Sequence, residues 1–153
     1  MNNHNEEKYA LENAAAEIFL KLYNINHLDQ FEIVERRESP DFVLKNKNGD
    51  LLGLEIAHLF YDSEEAKMLL GRSNNRTHGI ETFDKFLDNL NNLLRHKETK
   101  KSIYESSYPT SLVIRNTSPL FGMSDVLRAK DLIYKPTGYK SVWFISKDEI
   151  SEL

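Results

Sequence analysis

The chain has no cysteine among its 153 residues. That absence excludes a disulfide framework, a thiol nucleophile, a zinc finger with Cys ligands and an iron–sulfur site. Glycine and proline are scarce, at six and four, too few for a low-complexity chain. No apolar run approaches the ~20 residues needed to cross a bilayer. The first eight residues are polar and acidic, unlike the basic-then-apolar start of a secretory signal. Positive charge is not in excess either. A net charge of −4 argues against indiscriminate, tight binding of nucleic acid, although it leaves room for a local basic groove. What is present is 40% hydrophobic residues, enough for one globular domain with a real core. The expectation is a cytoplasmic protein of one domain over residues 1–153, with no membrane partner.

The charges are unevenly spread. Residues 1–66 carry 14 Asp/Glu against 6 Lys/Arg, and residues 67–153 carry 10 against 14. An acidic half joined to a basic half is compatible with a metal held on one side and a polyanion followed on the other.

Periodicity supplies the elements. Residues 8–24 read as a helix with Leu11, Ala15, Ile18 and Leu22 on one stripe. Phe31 to Val34 reads as a strand, interrupted by Ser39-Pro40, and Asp41 to Leu44 as a second. Asn48-Gly49-Asp50 is a strong turn signal, making a hairpin with Leu51 to Phe60, which is apolar enough to be a central strand covered on both faces. A polar loop from Gly71 to Gly79 precedes a helix from about Ile80 to Arg95. Ser111 to Arg115 reads as a fourth strand. Ser124 is placed as the cap of a helix running to about Ile133, and Ser141 to Ser146 as a fifth strand. The fold expected is α/β: a central mixed five-stranded sheet flanked by helices, in the order α-β-β-β-α-β-α-β.

Chemistry concentrates between Ser39 and Phe60. Asp41 opens one strand, and Glu55 lies inside an otherwise apolar partner, where a charge is costly to bury without compensation. A turn at residues 48–50 makes the two cross-strand or diagonal neighbours, at about 5 Å between Cβ atoms. Two carboxylates with a backbone carbonyl such as that of Ile56 would suit Mg²⁺ that keeps several waters. The competing reading pairs Glu55 with Arg36 or Arg37 and makes Asp41 a turn residue after Pro40.

Pro40-Asp41 followed by Glu55 in an apolar strand resembles the PD-(D/E)xK signature of the restriction-endonuclease-like nucleases. That superfamily has an α-β-β-β-α-β core, in which the two acidic residues bind Mg²⁺ and a Lys two residues later helps to activate water. The resemblance implies a restriction-endonuclease-like fold, hydrolysis of phosphodiester bonds in nucleic acid (DNA first), and Mg²⁺ or Mn²⁺ bound by Asp41, Glu55 and Ile56. It implies Glu17 as the acidic residue of the first helix. Where the motif has Lys this chain has Ala57, and Lys21, one turn beyond Glu17, is the local substitute. A member of the fold without catalysis, binding nucleic acid or a protein, is the alternative.

Arg72 and Arg76, in the Gly-bounded loop, are candidates to hold phosphate bidentately. Lys97, Lys100 and Lys101, with Arg95, could follow a nucleic-acid backbone from the end of their helix. A homodimer would suit cutting of two strands. The histidines show no HExxH spacing, and no G-x-S-x-G or phosphate-binding glycine loop occurs.

Overall fold

The computed structural model describes residues 3–59, 82–103 and 107–153. The expected loop at 71–79, with Arg72 and Arg76, lies outside them, as does the expected helix start at Ile80.

The first helix, α1 (Asn3–Asn26), is longer than its stripe suggested. It packs on the sheet through Ala15, Ala16 and Phe19, which are buried, while Leu11, Ile18 and Leu22 flank that contact. Two small residues in succession let helix and sheet approach closely, so the buried face is turned by about one residue from the expected one. Three strands follow as an antiparallel meander: β1 (Glu32–Arg36), β2 (Phe42–Lys45) and β3 (Leu51–Leu59). The β2–β3 turn is the expected one, with Gly49 at φ +87°, a left-handed conformation natural to glycine. β3 is central and covered on both faces.

The helix α2 (Phe83–Lys101) begins at Thr82, whose Oγ1 accepts the Lys85 N–H, and runs six residues past Arg95. Its buried residues Phe86, Leu90 and Leu94 are continued on the same face by Lys97 and Lys101. Strand β4 (Thr110–Asn116) joins β3 in parallel. The short helix α3 (Met123–Arg128) starts from Gly122, whose N–H is accepted by Asp125 Oδ2; Ser124 is therefore not the cap. It ends at Arg128 and gives way to a 3₁₀ turn at Lys130–Leu132, short of Ile133. β5 (Val142–Ser146) joins β4 in parallel. The chain then turns at Lys147 into β6 (Glu149–Glu152), antiparallel to β5.

The described residues thus form a mixed six-stranded sheet in the order β1 to β6, not a five-stranded one. The sixth strand, Glu-Ile-Ser-Glu, has one apolar side chain, and its pairing comes from the backbone and from Ile150 reaching the α1 side of the core. Alternation along β3 divides the molecule. Leu52, Leu54 and Ile56 pack with α1, and Ala57 and Leu59 pack with α2 and α3. No described helix is long and apolar enough to cross a membrane.

Candidate active site

Register explains why Asp41 is where it is. Phe42 faces Leu54 across the β2–β3 ladder, so one further step in each hydrogen-bonded pair would set residue 40 against Ile56. Residue 40 is proline, which has no N–H to give, and the ladder stops. The Asp41 side chain takes over: its Oδ2 accepts the Ile56 N–H at 2.8 Å. The Ile56 carbonyl faces the same edge, because N–H and C=O of one strand residue point the same way. Gly53 makes room for this arrangement. A Cβ there would lie 2.6 Å from Thr110 Oγ1 and 2.8 Å from Pro40 Cγ, so only glycine lets the proline ring lie over β3. The turn is closed by the Arg37 N–H, which donates to the Asp41 carbonyl at 2.8 Å.

Three further elements bring charge to this rim. Burial pushes the Asp41 carboxyl up to about 6; the Ile56 N–H and Lys97 oppose that rise, and Glu12 and Glu55 add to it. Glu55, buried on the α2 face of β3, accepts the Tyr139 hydroxyl proton at Oε2, 2.8 Å away. The same hydroxyl lies 3.1 Å from the Lys97 carbonyl, so Tyr139 ties β3 to α2. Glu12, buried on α1, receives the Arg36 guanidinium at 2.5 Å. Arg36 also donates to Asn13 and lies over the rings of Tyr9 and Phe42. His58 faces α1; burial lowers its pKa, outweighing the nearby Glu12 and the Leu11 backbone.

The structure joins Asp41 to Ile56 by a hydrogen bond and sets Glu55 close enough for its charge to act on Asp41. It places Glu17 and Lys21 on the exposed side of α1, and the acidic residue of that helix whose charge reaches Asp41 is Glu12. Lys97, expected as a backbone-following lysine, is half-buried and acts on both Asp41 and His58, whereas Lys100 is exposed at the end of α2. Arg36 and Arg37 pair with Glu12 and Glu35, at 2.5 and 3.2 Å. Glu12 was marked in the sequence by its place seven residues before Phe19, on the face that packs. Tyr139 carried no signal, since it lies in an irregular segment far along the chain.

Among the described residues, no three His, Asp or Glu side chains form a ready metal-holding group. The donor set at the rim is two carboxylates and one strand carbonyl. Such a set fits a hard cation that retains waters, as Mg²⁺ does, better than a fully enclosed site. Compared with known proteins, the chain matches no family model, no curated sequence and no solved structure.

Proposed function

We propose that this chain is a Mg²⁺- or Mn²⁺-dependent nuclease of the restriction-endonuclease-like kind, hydrolysing phosphodiester bonds in DNA. The observation that carries the reading is the Asp41–Ile56 contact, which holds a carboxylate and a strand carbonyl together where β2 stops. Among the described residues, the run α1-β1-β2-β3-α2-β4 supports it, since it follows the element order of that superfamily.

In this reading Asp41, Glu55 and the Ile56 carbonyl hold the cation, which when bound would polarise the scissile phosphate and acidify a water. Glu12 takes the role that the resemblance gave to Glu17. Lys97, coming from α2, supplies the positive charge that Ala57 leaves out of β3 and is aimed at charge developing on the phosphate. Tyr139 holds Glu55 in place through its hydroxyl.

The test is a calorimetric Mn²⁺ titration of wild type and Asp41→Ala, followed by cleavage assays on single- and double-stranded DNA and RNA. Binding and cleavage lost together in the variant are the expected result. Wild type that neither binds Mn²⁺ up to about 10 mM nor cleaves any substrate would sink the proposal. A second reading, a nucleic-acid-binding domain without turnover, draws on Ala57, which is buried in the core where the motif has Lys. It requires salt-sensitive binding and no cleavage in any metal.

A further inference from the structure

Gly53 lies two residues before Glu55 on the same face of β3, about 7 Å along the strand, and pairs with Thr110 at the start of β4. Beside that pair opens a cleft of about 440 Å³, walled by Lys101, Tyr108, Thr110, Tyr139 and Lys140. None of the described residues lining it is acidic. Arg37, which pairs with Glu35, also reaches its margin, donating to the Tyr108 hydroxyl at 2.8 Å. Thr110 is buried, and its Oγ1 has no hydrogen-bond partner among the described residues. The cleft is joined to the rim by a shared side chain, because the Tyr139 that walls it also donates to Glu55. Its volume lies in the range of small-molecule sites and exceeds what a bare phosphate needs.

We propose that this cleft holds one nucleotide of an unpaired strand, next to the phosphate positioned at Asp41 and Glu55. Lys101 and Lys140 meet the backbone phosphate as point charges, and Tyr108 and Tyr139 present aromatic surface to a base free of its partner. The strand then passes from the rim at Asp41 into the cleft beside Tyr139 and Thr110, and the substrate class is single-stranded. This inference rests on the nuclease reading, which it deepens.

The experiment measures binding of a labelled 12-nucleotide oligothymidylate by fluorescence anisotropy over a salt series, with Ca²⁺ as the cation. It compares wild type, Lys140→Glu and the double variant Lys101→Ala/Lys140→Ala. The expected result is affinity at least tenfold weaker in the double variant, with the slope of log K against log salt reduced by about 1.4 for two lost phosphate contacts. Lys140→Glu, an exposed substitution, should weaken binding on its own, and a blunt duplex should compete poorly. The Mn²⁺ isotherm should stay as in wild type for both variants. Unchanged affinity and slope in both variants would overturn the proposal even if Mn²⁺ binding and cleavage persist, and so would a duplex that competes as well as the single strand. Failure of the nuclease reading registers elsewhere, in the Asp41→Ala titration.

Discussion

Asp41 and Ile56 are joined by a side chain that does the work of a backbone group: a carboxylate oxygen takes the N–H that the next residue pair of the β2–β3 ladder would have taken. The Ile56 N–H is satisfied, and the carboxylate is held where the charges of Glu12, Glu55 and Lys97 act on it. The acid is fixed by the fold at a place that does not favour its charge.

A pH-dependent stability follows. The folded Asp41 titrates at about 6 against an ordinary 3.8, so the native state binds more protons than the unfolded chain between those values. Its contribution is fully present below about pH 4 and is lost as pH rises through about 6. At pH 7.5 the ionised carboxylate costs on the order of 3 kcal/mol. Asp41→Asn keeps an acceptor for Ile56 and removes the charge. It should melt several degrees above wild type at pH 7.5 and level with it at pH 4, as measured by thermal unfolding at four or five pH values. A difference constant with pH would contradict the account.

Glu12 and Glu17 should separate cleanly. Glu12→Ala leaves the Arg36 guanidinium without its carboxylate, part-buried between two rings. A loss of about 2 kcal/mol is expected, less than for a fully buried pair because Arg36 retains some exposure to solvent. Glu17→Ala and Lys21→Ala, both on the exposed side of α1, should lie within about 0.5 kcal/mol of wild type in urea unfolding. Equal losses at positions 12 and 17 would refute the placement.

Removal of the Lys97 charge should act through Asp41. In Lys97→Met the Asp41 carboxyl climbs above about 6, because a cation that held it down is gone. Under the proposed nuclease function, the acid limb of the cleavage–pH profile should move to higher pH, with kcat reduced about 100-fold. Lys100→Met, at an exposed position, should leave that limb in place.

Gly53 carries a steric prediction. Gly53→Ala puts a methyl against Thr110 Oγ1 and the Pro40 ring, both closer than contact allows. The cost should be about 1–3 kcal/mol, read as a lower Tm. Under the proposed metal-binding role of Asp41, Mn²⁺ affinity should fall with it, since the ring that moves is the residue next to Asp41.

The two strand acids were legible because a charge in an apolar run and a Pro-Asp before a strand are local facts. The hairpin between them was legible from Asn48-Gly49-Asp50. The helical acid was harder. Leu11, Ala15, Ile18 and Leu22 make as regular a stripe as Glu12, Ala15, Phe19 and Tyr23, and only the close approach permitted by Ala15 and Ala16 decides which one meets the sheet. Lys97 was seen as a surface cation because a helix-end lysine ordinarily is one; its long stem instead continues the buried stripe of α2. Tyr139 and β6 were illegible for a common reason. Their places depend on partners more than forty residues away or on backbone pairing alone, and neither leaves a local pattern.

The topology also separates local from long-range closure. The ladders from β1 to β3 close over turns of a few residues, whereas β3 meets β4 only when residue 53 finds residue 110. Closing the longer loop is the slower event. Asp41 and Glu55 come together through neighbouring segments, while Lys97 and Tyr139 belong to the part of the chain that the long closure brings in. The acids are therefore neighbours along the chain, and the groups that steady them are held by its longest-range pairing.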